Sequence, residues 1–210
     1  MRITNSPLVI GIGGGTGTGK TSAARHICER YAGTGVALLD QDSYYLDRSH
    51  LPHEERSRLN YDEPSAIDHG LLLSHLTDLL QGFSIQKPQY CYATHTRRGE
   101  PDVVASAPIV ILEGLFALWD PKACELMALR VYLDADPDIR LIRRARRDLA
   151  QRGRTIESII TQYLQTVRPM HQMYIEPTRA RADLVLDVSS GSYAELDMRV
   201  DRLLSGHSKI

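Results

Sequence analysis

The chain has 210 residues, 42 % of them hydrophobic, which suits one domain with a well-filled core. Its 25 basic and 26 acidic residues nearly balance, and this argues against a nucleic-acid-binding or membrane-surface protein. No run approaches the roughly 20 apolar residues of a membrane span. The three cysteines are widely spaced, which indicates a reducing compartment, and the amino-terminal segment is not typical of a signal peptide. We therefore expect a cytoplasmic protein.

The first predicted elements are a strand, a loop and a helix. Residues 8–12 are an apolar run, residues 13–19 are rich in glycine, and residues 21–31 have helical periodicity. The loop fits the pattern G-x-x-x-x-G-K-[ST], in which glycines turn backbone N–H groups towards phosphate oxygens. The lysine then reaches the β- and γ-phosphates, and the threonine hydroxyl faces Mg²⁺. The predicted phosphate-binding residues are Gly14, Gly15, Thr16, Gly17, Thr18, Gly19, Lys20 and Thr21.

Alternating strands and helices continue along the first half of the chain. A strand at 36–39 is followed by Asp40 and Asp42, at the edge where open parallel sheets bind ligands. After a polar stretch at 46–63, Ser65 is a candidate cap for a helix at 66–80. Residues 83–107 combine prolines and glycine with short alternating runs, which predicts a small β-ribbon insert.

The second half predicts more of the same architecture. A strand at 109–112 ends at Glu113, a Walker-B type arrangement that can hold Mg²⁺. A strand at 130–133 precedes a helix that Asp136 can cap, and a further helix at 156–173 is interrupted near Pro169. A strand at 184–186 and a helix at 193–204 follow. The sequence predicts a single α/β domain over residues 1–210, with helices on both faces of a parallel sheet.

Arginines are concentrated in the segment 137–155. Six of them fall within a dozen residues, namely Arg143, Arg144, Arg146, Arg147, Arg152 and Arg154. A charge run is usually a solvated helix face, and it can also bind nucleic acid. Beside a phosphate-binding loop a third interpretation is favoured, a helical lid whose arginines close over a transferring phosphoryl group and exclude water.

This sequence lacks the characteristic motifs of two large classes of phosphate-loop protein. GTPases of the Ras type carry Asn-Lys-x-Asp, but neither Asn5 nor Asn60 is followed by lysine. ABC-type ATPases carry Leu-Ser-Gly-Gly-Gln, which this sequence does not contain. A kinase that acts on a small molecule remains.

The chain resembles the uridine kinase (uridine–cytidine kinase) family, and most of all its bacterial members. The matching segments include GGTGTGKT, QDSYY, the ribbon segment 90–97, VILEG and the arginine segment, and they extend to about residue 188. The resemblance implies ATP- and Mg²⁺-dependent phosphorylation of the 5′-hydroxyl of uridine and cytidine, in pyrimidine salvage. It also implies a homo-oligomer, commonly a homotetramer.

The resemblance implies a role for individual residues as well. Asp42 is expected to be the catalytic base, while Thr21 and Glu113 match the Mg²⁺ region and Arg147 and Arg152 match lid arginines directed at the donor phosphates. The expected nucleoside-contacting residues are Asp62, Tyr61, Tyr90, Tyr92, His95, Arg144, Arg154 and Gln162. A carboxylate such as that of Asp62 can accept two hydrogen bonds from the ribose diol, and a neutral imidazole can donate or accept at the pyrimidine edge.

The sequence departs from the family pattern in three places, and alternatives remain open. Gly17 and Thr18 replace the usual alanine and serine, Cys91 replaces aspartate or serine, and residues 187–191 lack the usual Pro-Arg-Gly. The last segment lies near the donor base in the family, so the preference for ATP over GTP is open. The alternatives are a related kinase with another acceptor, such as a phosphoribulokinase or a pantothenate kinase, and a non-catalytic nucleotide-regulated binding protein.

Overall fold

A parallel sheet of five strands lies at the centre of the part of the chain that the structure describes. The computed structural model describes residues 6–189 and 191–207. The strands in these residues are Leu8–Gly14 (β1), Val36–Asp40 (β2), Ile85–Lys87 (β3), Tyr90–Cys91 (β4), Thr96–Arg97 (β5), Asp102–Val104 (β6), Ile109–Glu113 (β7), Leu129–Asp134 (β8) and Leu184–Asp187 (β9). The central sheet has the order β2-β7-β1-β8-β9, and each of its neighbouring pairs is parallel. The predicted parallel sheet is confirmed.

Helices connect the strands of this sheet. They are Lys20–Arg30 (α1), His53–Arg58 (α2), His69–Leu80 (α3), Pro121–Glu125 (α4), Pro137–Gln151 (α5), Ile156–Gln162 (α6), Arg168–Met170 (α7) and Ala194–His207 (α8). Two π-helical segments, Tyr163–Val167 and His171–Ile175, flank α7. Among the described helices, none is both long enough and apolar enough to cross a membrane.

Helices bury both faces of the sheet, and this explains why its strands are continuous apolar runs. Every residue of β1 is buried. On one face Ile10 belongs to a core that includes Ala24 of α1 and Leu196 of α8. On the other face Val110 of β7 belongs to a core that includes Leu76 of α3. The sheet is therefore a rigid platform, and its carboxyl edge is free to carry the site.

The insert at residues 83–107 contains two short antiparallel pairs, β3 with β6 and β4 with β5. Arg97 of β5 donates a hydrogen bond to the carbonyl oxygen of Tyr45 at 3.0 Å and forms an ion pair with Asp68 at 3.1 Å. Lys87 of β3 forms an ion pair with Asp40 at the end of β2. These contacts fasten the insert to the carboxyl edge of the sheet.

The helix predicted at 66–80 begins later than expected, and Ser65 does not cap it. Residues Pro64–Ala66 form a 3₁₀ turn, and Ile67 pairs with Tyr45 in an isolated β-bridge, so the backbone is not yet helical there. Asp68 is the cap instead, because its Oδ1 accepts a hydrogen bond of 3.0 Å from the backbone N–H of Leu71.

The helix predicted at 156–173 is not interrupted at Pro169. The chain stays helical from α6 to Ile175, and Pro169 lies at the start of α7, directly after a π-helical segment. Proline lacks the N–H for the usual bond to the residue four positions earlier, and π-helical turns change that bonding pattern locally. The wider turns therefore accommodate the proline.

Other differences concern short elements and caps. The sequence does not predict α2 or α4, which are only six and five residues long. Asp120 caps α4 by accepting a hydrogen bond of 2.9 Å from the N–H of Lys122. Asp136 stands at the expected position before α5, but its side chain makes no capping hydrogen bond.

Candidate active site

The glycine-rich loop follows β1 and leads directly into α1. Gly14 and Gly17 have φ angles of 138° and 78°, in the region that side chains disfavour. The loop is closed by Thr18, whose Oγ1 donates a hydrogen bond of 2.8 Å to the carbonyl oxygen of Gly15. A Cβ on Gly17 would lie 2.3 Å from the carbonyl oxygen of Arg140, so this position has no room for a side chain. The loop has the wrapped shape that the phosphate-binding pattern predicts.

Lys20 lies inside this loop. Its Nζ donates a hydrogen bond of 2.9 Å to the carbonyl oxygen of Gly15. Burial lowers the pKa of Lys20 to about 8, and the nearby carboxylates of Glu113 and Asp42 oppose that shift. A polyanionic ligand in the loop would favour the charged ammonium group further, because opposite charge nearby stabilises the protonated form.

Thr21 and Glu113 meet beside the loop, although 92 positions separate them along the chain. The Thr21 Oγ1 donates a hydrogen bond of 2.9 Å to the Glu113 Oε1. Glu113 ends β7 and is 7 % exposed, and burial raises its pKa. Both side chains offer oxygen, the donor atom that Mg²⁺ prefers, and a magnesium ion on a nucleotide usually takes only one or two protein ligands. The described residues contain no cluster of three or more His, Cys, Asp or Glu side chains suited to a metal.

Asp42 lies in the short 3₁₀ turn Gln41–Tyr44 that follows β2. Its Oδ2 accepts a hydrogen bond of 2.6 Å from the hydroxyl of Tyr92, which comes from the insert. The guanidinium carbon of Arg152 lies 4.4 Å from the centre of the Tyr92 ring, a cation–π contact. Asp42 is thus joined to the insert and, through Tyr92, to the end of the arginine segment.

Aromatic rings from the insert and the preceding segment form a cluster next to Asp42. The rings of Tyr61 and His95 are stacked, with centroids 4.7 Å apart and planes 15° apart. Tyr45 contacts both Tyr61 and Tyr90, at centroid distances of 5.6 and 5.0 Å. The Tyr90 hydroxyl is buried beside the Tyr61 hydroxyl, and burial together with this neighbour raises the pKa of Tyr90. A phenol hydroxyl can both donate and accept a hydrogen bond, so Tyr90 can bond a polar ligand edge.

His95 occupies the turn of the insert with a left-handed φ of 54°. Burial lowers its pKa, and the nearby His53 and Arg56 add to that shift, so the imidazole is neutral at pH 7. The turn is held from α2, where the Nε of Arg56 donates a hydrogen bond of 2.9 Å to the carbonyl oxygen of Thr94. The unpredicted helix α2 therefore helps to position a predicted site residue.

Asp62 lies buried between the aromatic cluster and the helical segment at 163–167. Its Oδ2 accepts a hydrogen bond of 3.2 Å from the Thr166 hydroxyl. Burial raises the pKa of Asp62, while the positive charges of Arg144 and Arg154 act in the opposite direction. Gln162 accepts hydrogen bonds from both arginines, at 2.8 Å from Arg144.

The arginine segment is partly buried rather than a wholly solvated helix face. Arg144 is 5 % exposed, and its Nη1 donates a hydrogen bond of 3.1 Å to Thr16 Oγ1 in the phosphate loop. Asp148 is fully buried, and its carboxylate pairs with Arg147 at 2.8 Å and with Arg152 at 3.7 Å. The helix α5 thus lies over the loop, and Asp148 holds Arg147 and Arg152 in this conformation.

Sequence reasoning missed several residues of this region. Tyr45 carries no signal beyond its place in QDSYY, and Thr166 carries none. Asp148 could have been found, since it lies four residues from both Arg144 and Arg152. Arg140 could have been found, since it lies one helical turn before Arg144 on the same face of α5. His171 also borders the loop: a Cβ on Gly15 would lie 2.4 Å from Arg140 Nη1 and 3.0 Å from His171 Cε1.

A glycine-rich loop after the central strand of a parallel sheet, with a lysine inside it and a carboxylate at the tip of the next strand, defines a P-loop nucleotide-binding protein. The model of the "Phosphoribulokinase / Uridine kinase family" matches residues 9–193. A uridine kinase of Bacillus cytotoxicus is 45 % identical over 200 residues, covering 95 % of this chain and 94 % of the relative. A uridine kinase of Bacillus mycoides is 44 % identical over 200 residues, again covering 95 % of this chain and 94 % of the relative. The chain belongs to the phosphoribulokinase/uridine kinase family.

Solved structures share the fold. A structure described as a possible uridine kinase from Bacillus stearothermophilus has a TM-score of 0.64 and 20 % identity, covering 89 % of this chain and 91 % of its own. Phosphoribulokinase from Rhodobacter spheroides has a TM-score of 0.66 and 15 % identity, covering 87 % of this chain and 70 % of its own. At these identities the likeness shows the P-loop kinase fold alone.

Proposed function

We propose that the protein transfers the γ-phosphoryl group of ATP to the 5′-hydroxyl of uridine and cytidine, forming UMP and CMP in pyrimidine salvage. One observation carries this proposal: the Asp42 carboxylate lies between the phosphate loop and a partly buried cluster of tyrosines and a histidine. The uridine kinases that match nearly the whole chain at 44–45 % identity support it.

The donor phosphates bind in the loop. Its backbone N–H groups and the Lys20 ammonium group neutralise the triphosphate, and the start of α1 adds the positive end of its dipole. Thr21 and Glu113 would hold a magnesium ion, directly or through water, and the bound ion would neutralise charge on the β- and γ-phosphates. Arg147 and Arg152 are the lid arginines. They reach the donor phosphates once their ion pairs with Asp148 break.

The acceptor nucleoside binds in the aromatic cluster. The Asp62 carboxylate accepts hydrogen bonds from the ribose diol, with Arg144, Arg154 and Gln162 around it. The stacked Tyr61 and His95 rings lie at the base site together with Tyr90. A neutral imidazole donates from one ring nitrogen and accepts at the other, so His95 can meet O4 of uracil or the N4 amine of cytosine.

Asp42 acts as the general base. The 5′-hydroxyl oxygen attacks the γ-phosphorus, the bond from that phosphorus to the β,γ-bridging oxygen breaks, and ADP leaves. The hydroxyl proton passes to the Asp42 carboxylate, whose Oδ2 accepts the Tyr92 hydroxyl in this structure. No covalent enzyme intermediate is needed, since positioning and charge neutralisation supply most of the rate enhancement.

Release of ADP with a panel of acceptors tests the proposal. Purified protein receives Mg²⁺-ATP with uridine, cytidine, thymidine, adenosine, ribulose 5-phosphate or pantothenate, and a coupled assay follows ADP. We expect turnover with uridine and cytidine only. Turnover with ribulose 5-phosphate or pantothenate alone would establish another acceptor, and ATP binding with no turnover would establish a binding protein.

The resemblance to the uridine kinase family supports a homotetramer. Three exposed apolar side chains, Ile156, Ile160 and Leu164, recur every fourth residue along one helical segment. Such a stripe on a helix suits contact with a second copy of the chain.

The three cysteines are unpaired, and together with the ATP requirement this supports the cytoplasm as the place of action.

A further inference from the structure

Arg140 lies directly behind the phosphate loop, in the first turn of α5. It is 7 % exposed. A Cβ on Gly15 would come within 2.4 Å of its Nη1, and a Cβ on Gly17 would come within 2.3 Å of its carbonyl oxygen. Both the guanidinium group and the main chain of this residue therefore touch the loop, and at Gly17 the main-chain contact leaves room for glycine alone.

The Arg140 charge has no counter-ion among the described residues. Its Nε donates a hydrogen bond of 3.0 Å to the carbonyl oxygen of Ala135, and no described carboxylate forms an ion pair with it. Arg144 and Arg147, on the same helix, share the buried carboxylate of Asp148. A buried cation without a counter-charge destabilises the fold that contains it, so its retention needs a reason.

The neighbouring groups do not supply the missing charge. His171 reaches the same point as Arg140, with its Cε1 3.0 Å from a Cβ on Gly15. Burial lowers the pKa of His171, and the charge of Arg140 lowers it further, so the imidazole is neutral at pH 7. The Glu176 carboxylate accepts from His171 Nε2 at 3.1 Å and from the Tyr132 hydroxyl at 3.1 Å, and it does not pair with Arg140.

We propose that Arg140 is a positioning residue of the donor site, which contacts the loop at Gly15 and Gly17 and supplies a positive charge that the donor triphosphate balances. The inference rests on the proposed function only in taking a nucleoside triphosphate as the ligand of the loop. Unlike Lys20, Arg140 acts from outside the loop. Its field adds to that of the backbone N–H groups without occupying the space of the phosphates.

Removal of this charge has two effects of opposite sign. Without nucleotide, an Arg140→Met variant loses an unbalanced buried cation and keeps much of the apolar contact, so its unfolding temperature stays level or rises. With nucleotide, the variant loses a favourable charge interaction. A side chain that merely supports the structure would instead lower the unfolding temperature and leave affinity for nucleotide unchanged.

The test measures thermal unfolding and calorimetric binding of Mg²⁺ with a non-hydrolysable ATP analogue, with no acceptor present. For Arg140→Met we expect a smaller nucleotide-induced rise in unfolding temperature and a Kd raised by roughly ten-fold or more. Arg202→Met, at an exposed arginine of α8, is the control and should leave both quantities unchanged. Because no turnover is measured, failure of the uridine kinase assay would leave this result interpretable.

A second pair of variants tests the same inference if Arg140→Met does not fold. Arg140→Lys keeps the charge and Arg140→Gln removes it, and both keep polar atoms beside the loop. We expect the lysine variant to bind the analogue at least roughly five-fold more tightly than the glutamine variant. Equal affinity in this pair, or destabilisation of Arg140→Met with an unchanged Kd, would overturn the inference. In steady-state assays, KM for ATP should rise in Arg140→Gln while KM for uridine stays constant.

Discussion

His95 shows how one residue's environment decides what it can recognise. Its ring lies on Tyr61, and burial together with His53 and Arg56 keeps its pKa below the ordinary value of 6.5. It is therefore neutral at pH 7 and holds one N–H and one lone pair. Uracil O4 needs only the N–H, whereas the cytosine amine needs the lone pair.

Acid pH should therefore separate the two nucleosides. As the pH falls below 6.5 and towards the lowered pKa of His95, the imidazole gains a second proton and loses its acceptor. We expect kcat/KM for cytidine to fall more steeply than kcat/KM for uridine between pH 7 and pH 5. The measurement is the pair of pH profiles for wild type and for His95→Asn, whose amide does not titrate. Parallel profiles for the two nucleosides in wild type would remove His95 from the base site.

At the scale of elements, the insert owes its position to a few polar contacts. Arg97 joins β5 to the carbonyl oxygens of Tyr44 and Tyr45 and to the Asp68 carboxylate, which also caps α3. Because Tyr90, Tyr92 and His95 all belong to the insert, these bonds set where the aromatic cluster stands relative to Asp42.

Replacing Arg97 should loosen the acceptor site and spare the donor site. In Arg97→Met the three acceptors lose their bonds, and we expect the free energy of unfolding to fall by about 1–3 kcal/mol. KM for uridine should rise, while KM for ATP stays within roughly two-fold, since the phosphate loop does not contact the insert through Arg97. Arg98→Met, at the exposed neighbouring position, is the control for chemical denaturation and kinetics. Equal rises in KM for uridine and KM for ATP would contradict the prediction that the insert affects the acceptor site alone.

The elements also show what sequence can and cannot predict. The strands of the sheet were predictable because both faces are buried, so apolar runs such as 8–12 and 109–112 are continuous. The start of α3 was not predictable, since Ser65 and Asp68 are both suitable caps. Only the β-bridge between Tyr45 and Ile67 decides which of them caps the helix. Short α2 and α4 lack a full amphipathic period. The spacing of Arg140 and Arg144 places both on one face of α5, but the close approach of the Arg140 main chain to Gly17 is encoded by no local pattern.

The site residues divide in the same way. Loop residues and the roles implied by the family resemblance could be named from the sequence, because spacing within each motif carries them. Thr166, which bonds Asp62, could not, since it acts on a partner from another element. Asp148 pairs with arginines at i,i+4 spacing on its own helix, but its complete burial does not follow from that spacing. The arrangement of Tyr92 between Asp42 and Arg152 likewise appears only in three dimensions.

At the scale of the whole molecule, three distant segments assemble one site at the carboxyl edge of the sheet. They are the phosphate loop with β7, the insert with the 3₁₀ turn after β2, and the helical region from α5 to Ile175. The outer side of that helical region carries the apolar stripe of Ile156, Ile160 and Leu164, exposed by 45–56 %.

Charge placed on this stripe should disrupt the proposed homotetramer. In Leu164→Glu a carboxylate replaces a side chain that would be buried between copies, so the assembly should lose affinity. Light scattering after size-exclusion chromatography should give a four-chain mass for wild type and a smaller mass for the variant. Gln165→Glu, at the exposed neighbouring position, is the control and should keep the wild-type mass. A wild-type monomer would contradict the proposed assembly.

The most direct test of the account replaces the proposed base. Asp42→Asn keeps the shape of the side chain and its contact with Tyr92 but cannot accept the hydroxyl proton. UMP formation from Mg²⁺-ATP and uridine should fall by roughly 10²–10⁴-fold in kcat, with the affinity for nucleotide retained. Asp47→Asn, an exposed carboxylate five residues further on, should keep the wild-type rate. An Asp42→Asn enzyme that forms UMP within a few-fold of the wild-type rate would contradict the central claim.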